Sequence, residues 1–134
     1  MRRVLPILLI GAAVLVLMDV IGALTGRPLG FPYPRLSVVS LLVYFGVGAL
    51  GAWRGSFSDG LAAAIVVGLL DATLGPLAAW FVGPGPMGQT VTEPGIFAYQ
   101  IAIVTGTAAA AGLIGALTGS WLERRRVIRG VVPR

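Results

Sequence analysis

Two carboxyl groups stand inside otherwise apolar stretches of this chain, at Asp19 and Asp71. Both sit in the same short pattern, Leu17-Met18-Asp19 and Leu69-Leu70-Asp71. A carboxyl so placed can hold a proton or a cation, or it can bond a neighbouring helix. At about 1.5 Å per residue, Asp71 lies about 15 Å into its run and Asp19 about 8 Å from the end of its own. A charge at the centre of a bilayer costs roughly 2.5–3.5 kcal/mol, and the apolar residues around Asp71 offset it. An interhelical hydrogen bond returns only about 0.6 kcal/mol on average. An acidic residue at this depth is therefore read first as a functional group, with a structural hydrogen bond as the competing reading.

Depth names the neighbours. Tyr44 and Thr105 fall near the level of Asp71, and Ser40 and Gln100 near that of Asp19. The proton- or cation-binding candidates are accordingly Asp71, Asp19, Tyr44 and Thr105. No Arg or Lys lies inside the runs, so desolvation favours a protonated Asp71 at neutral pH. Pro76, one turn after Asp71, removes a backbone donor and frees the carbonyl of Ala72. It is an ordinary kink or a hinge beside an acidic group. The Thr73 hydroxyl is available to the freed backbone groups.

The elements that must position these groups follow from composition. The 134 residues are 57% hydrophobic and 11% charged, with mean hydropathy +0.93. A soluble domain carries roughly a quarter charged residues. A soluble enzyme, a disordered tail and a collagen-like fibre are excluded. Cysteine and histidine are absent, which removes thiolate chemistry, the usual zinc ligands and the commonest general base. No nucleophile–base pair or metal cluster is visible, so the chain is not expected to be an enzyme, and no cofactor or metal is called for.

Four apolar runs appear, Val4–Leu24, Leu36–Trp53, Leu61–Val82 and Ile96–Leu122. Even the shortest gives about 27 Å of helix, close to the ~30 Å hydrocarbon core. The runs do not alternate as barrel strands would. The expected fold is an all-α integral membrane protein, a left-handed bundle of four transmembrane helices in one domain over residues 1–134, with a basic cytoplasmic tail at 123–134. The first run is longer than a signal-peptide core and lacks an A-x-A site, so it is expected to be retained.

Connections are short. Thr25–Arg35 carries Pro28, Pro32 and Pro34 with Phe31 and Tyr33, a stiff interfacial loop. Gly83–Gly95 is rich in Gly and Pro. In Arg54–Gly60 either Ser58 or Asp59 can cap the third helix. Arg2, Arg3, Arg54, Arg124, Arg125, Arg126, Arg129 and Arg134 fall on one side, and Arg27 and Arg35 on the other. This bias places both termini in the cytoplasm of a bacterial inner membrane. Topology explains the net charge of +5 without nucleic acid. The tail arginines also suit anionic headgroups, so the bilayer is the first partner. Trp53 and Trp121 form the aromatic belt on that side.

Small residues recur at steps of three and four. The stripes are Ala12, Leu15, Asp19, Gly22, Gly26; Tyr44, Gly48, Gly51, Gly55; Ala64, Gly68, Asp71, Gly75, Ala78; and Thr105, Ala108, Gly112, Gly115, Gly119. A 3.5-residue period keeps one face toward neighbouring helices, and small residues permit close packing at crossings near ~20°. Any excess of such surface would favour a homo-oligomer or a larger membrane partner. Runs two and four both end in Gly-Ala-Leu followed by Trp, which together with the Leu-x-Asp pair suggests two tandem helical hairpins. The expected function is a structural, accessory or self-associating membrane protein. The alternative is a proton- or cation-linked small transporter or channel using Asp71 and Asp19.

Overall fold

A computed structural model describes residues 3–26, 36–82 and 93–130. The described residues form four helices, α1 Leu5–Gly26, α2 Leu36–Arg54, α3 Phe57–Val82 and α4 Pro94–Gly130. All four are long and apolar enough to cross a membrane. The expected interfacial loop, with Arg27, Arg35, the three prolines, Phe31 and Tyr33, lies outside the described residues, as do most of Gly83–Gly95 and Arg2 and Arg134.

Two helix starts correct the sequence reading. Helix α3 begins at Phe57, four residues before the apolar run. Its cap is Ser56, not Ser58 or Asp59. The Asp59 amide donates to Ser56 Oγ at 3.2 Å, and Ser56 Oγ donates to Asp59 Oδ2 at 2.9 Å. The two residues thus form a reciprocal pair at the helix start, and Asp59 complements the dipole from inside the first turn. Helix α4 begins at Pro94, a residue suited to the first helical position. The amide of Phe97 bonds the Glu93 carbonyl at 3.0 Å. At its other end α4 continues to Gly130, so residues 123–130 of the expected tail prolong the helix. Arg126 and Arg129 fall within it. The guanidinium of Arg125 stacks over Trp121, 3.7 Å from the ring centroid, a cation–π contact that tethers the basic segment to the apolar one.

The packing is built from small side chains. Leu15 and Val67 are the largest side chains that are fully buried. Ala63, Ala64, Ala108 and Ala116 complete much of the interior. Large apolar residues such as Ile10, Leu42, Phe81 and Ile114 point outward and are exposed. Water would penalise such a surface, and hydrocarbon would not.

Glycine sets the helix spacing. A Cβ on Gly48 would meet the Gly112 carbonyl oxygen, one on Gly115 the Phe45 carbonyl oxygen, and one on Gly119 the Ala49 carbonyl oxygen. Helices α2 and α4 therefore run parallel, backbone against backbone. Gly68 rests on Ala108, and Gly60 on the Gly48 carbonyl and Ala52, so α3 lies antiparallel to both. Helix α1 runs parallel to α3, with Gly11 near Val67 and Asp19 against Gly75. Gly51 also packs tightly, against Gly60. Gly55, the last member of its stripe, is exposed, because α2 ends before it.

Helices α2 and α3 touch all their neighbours, whereas α1 and α4 scarcely meet. The cross-section is a rhombus with α2 and α3 on its short diagonal. The two sequential hairpins pack unequally, α3–α4 closely and α1–α2 loosely.

Replacing Gly115 by leucine should therefore push α2 and α4 apart and lower stability by about 1–3 kcal/mol or more. Gly106 meets nothing within 4 Å, so Gly106→Ala should be neutral or gain about 0.5–1 kcal/mol. Thermal unfolding in detergent micelles reads both, and equal effects would contradict the packing described.

Candidate functional site

Where α1 and α4 scarcely meet, a cavity of about 380 Å³ lies between the helices. It lies in the half of the bundle where α1 and α3 end and α2 and α4 begin. Every helix contributes to its wall: Asp19 from α1, Ser40 and Tyr44 from α2, Asp71 and Pro76 from α3, and Gln100 and Thr107 from α4. Apolar residues complete the lining, and no basic side chain takes part among the described residues.

Asp71 is only 8% exposed. The Tyr44 hydroxyl donates to its Oδ2 in a short hydrogen bond. Tyr44 is itself buried, so the bond fixes both side chains between α2 and α3. The other carboxyl oxygen, Oδ1, is buried and finds no hydrogen-bond partner among the described residues. Buried polar atoms are nearly always paired, and an unpaired one costs about 1–3 kcal/mol, more when charged. Half of this carboxyl is thus satisfied, and the other half is buried without a partner among the described residues.

Asp19 is equally buried. Its carboxyl lies against the backbone at Gly75, where a Cβ would collide with Oδ2. Gly75 is one helical turn beyond Asp71, a rise of about 6 Å. The two acids are thus stacked along one face of α3, although they come from different helices. Among the described residues, two aspartates and a tyrosine are the titratable groups on the wall, contributed by α1, α2 and α3, and α4 adds only neutral polar groups.

The remaining sequence candidates are placed as follows. Ser40 and Gln100 line the cavity with Asp19. Thr105 does not reach it. Its Cα lies by Gly68, and its hydroxyl is buried without a partner among the described residues. Thr107, which depth alone did not single out, lines the wall instead. The signal was present in the helical step Gln100, Ile103, Val104, Thr107, which forms one face. Pro76 is buried on the wall, and α3 remains helical through it. Thr73 does not serve the freed Ala72 carbonyl as expected. Its hydroxyl bonds back to the Leu69 carbonyl at 2.8 Å, the intrahelical partner nearest to hand. Gly48, Gly51, Gly68, Gly75, Gly112, Gly115 and Gly119 are all buried within the chain.

Compared with family models, curated proteins and solved structures, the chain matches none of them. The reading of the site therefore rests on its geometry.

Tyr44→Phe should leave the Asp71 carboxyl without its protein partner and destabilise the fold by about 1–3 kcal/mol. In a double-mutant cycle with Asp71→Leu, the coupling should fall within about 0.5–3 kcal/mol. Additive single losses would show that the hydrogen bond does not operate.

Proposed function

We propose that the protein is an integral membrane protein of a bacterial inner membrane that exchanges protons or other cations at Asp71. One observation carries this reading: a deeply buried carboxyl on the wall of an interhelical cavity, with one oxygen held by Tyr44 and the other buried without a partner among the described residues. A purely structural aspartate has no reason to leave a buried oxygen unpaired. Asp19, stacked one turn away, is a second station on the same path. The stations lie in the half of the bundle that the arginine bias assigns to the outside, with both termini in the cytoplasm. The small-residue period supports a left-handed bundle with crossings near ~20°. Trp53 and Trp121 then mark the cytoplasmic headgroup level, and Pro76 beside Asp71 is the natural place for a bend.

A structural or self-associating role is the second reading. It draws on the small-residue stripes and on the absence of catalytic chemistry, and self-association needs stripe surface in excess of what one bundle buries. The glycines of the stripes are largely consumed by contacts within one chain, which weakens that argument and favours the exchange reading.

In vesicles with a pH-sensitive dye inside, the wild-type protein should carry protons down an imposed gradient, and Asp71→Asn should lose most of that flux. Asp19→Asn should lose part of it. Absence of flux, or variants equal to wild type, would refute the reading. Orientation has its own test, because the chain has no cysteine. In intact cells an impermeant maleimide should label Gly95→Cys and spare Glu123→Cys, and the opposite pattern would invert the topology.

A further inference from the structure

We propose that Tyr44 gates Asp71: the carboxyl opens to the cavity only when the Tyr44 hydroxyl releases it and the ring swings into the empty volume alongside. This rests on the exchange reading above and names the side chain that regulates it.

Both oxygens of Asp71 are closed in this arrangement. Oδ1 is buried, with essentially no accessible surface and no hydrogen-bond partner among the described residues. Oδ2 accepts the Tyr44 hydroxyl. A proton or cation must reach an oxygen in order to exchange there, so one of the two covers has to move. The hydroxyl is the cover with somewhere to go. Protein interiors are close-packed, and a side chain turns only where it finds room. Tyr44 is almost fully buried, yet it stands on the wall of the cavity. That volume, about 380 Å³, lies within the ~300–1,000 Å³ range that admits small molecules, and so has room for one phenol ring.

The wall provides for the ring in both positions. In the closed position Asp71 satisfies the hydroxyl. In the open position the phenol needs another acceptor, because an unpaired buried polar group is costly. Ser40, one turn before Tyr44 on α2, and Gln100 on α4 line the same cavity, and each carries an oxygen able to accept that bond. Leu41 and Ile103 offer the ring apolar contact. The swing breaks one hydrogen bond and requires no helix to leave its neighbour. The contact of Gly48 with Gly112, one turn further along α2, stays closed throughout. Access to the carboxyl can therefore change while the backbone packing does not.

The test follows the access of a reagent to each carboxyl. The full chain in lipid vesicles, at one fixed pH, is treated with dicyclohexylcarbodiimide, an apolar reagent that adds to protonated carboxyls. Mass spectrometry then reads the rate of modification at Asp71, with Asp19 on the same wall as internal reference. Tyr44→Phe should speed the labelling of Asp71 about tenfold or more, as the loss of one hydrogen bond to a carboxyl implies, while Asp19 keeps its rate. Thr107→Phe, which fills the cavity without removing an interhelical bond, should slow the labelling of Asp71, and it carries the test where Tyr44→Phe fails to fold. Unchanged labelling of Asp71 in either folded variant, or equal acceleration at Asp71 and Asp19, would overturn the proposal. In the proton-flux assay Tyr44→Phe should raise the flux. A loss would make the hydroxyl a carrier of the proton instead of its barrier, which overturns the gate and leaves exchange at Asp71 intact. Selective acceleration at Asp71 with no flux in wild type or variant would keep the gate and refute the exchange reading.

Discussion

The structure depends on how closely helix backbones can approach when nothing larger than a hydrogen or a methyl group stands between them. Gly48 shows the constraint at its tightest. Its Cα faces Gly112 of α4, and its carbonyl faces Gly60 of α3. At that point α2, α3 and α4 meet with no side chain larger than the methyl groups of Ala52 and Ala64 between them. Dispersion forces reward such contact over many atoms, each pair giving about 0.1–0.2 kcal/mol. In hydrocarbon there is no hydrophobic force to hold helices together by other means. The small-residue contacts are the adhesive, and the large residues are left outside.

The same constraint makes the cavity. Three helices drawn together near Gly48 and Gly60 leave the fourth, α1, in contact mainly with α3. Helices α1 and α4 are kept apart by the short diagonal of the rhombus, and the cavity between them lies toward the end that carries Asp19 and Gln100. Bulk cannot fill it, since Ser37, Ser40 and Thr107 are small and Asp19 folds back against Gly75. Close packing at one end and space at the other come from one arrangement of helices.

Polar groups follow the same economy of partners. The hydroxyls of Thr73, Thr107 and Thr118 bond carbonyls of their own helices at 2.8 Å, which satisfies them without any neighbour. The Tyr44 hydroxyl and the Asp71 carboxyl, both buried, instead bridge two helices. That bond joins the two central helices and fixes Asp71 on the cavity wall. Packing and site chemistry meet in this pair.

The amino-acid sequence by itself determined the axial coordinate of nearly every important group. Run lengths fixed four helices, and a rise per residue put Tyr44 at the level of Asp71, and Ser40 and Gln100 at the level of Asp19. The three- and four-residue steps identified the buried faces, although Ala12, Ala78 and Thr105 are only half-buried and Gly55 is exposed. Side-chain period and helix rise are local properties, so a sequence carries them in full. Only the tertiary structure decided which faces meet. It paired α2 with α4 in parallel, laid Asp19 on Gly75, turned Thr105 away from the cavity and brought Thr107 into it. It also moved the α3 cap to Ser56, a polar residue before the apolar run. Those outcomes depend on the angle of each helix about its axis and on its choice of neighbours. Both are set by the summed contacts of all four helices, and no stretch of chain read alone contains them.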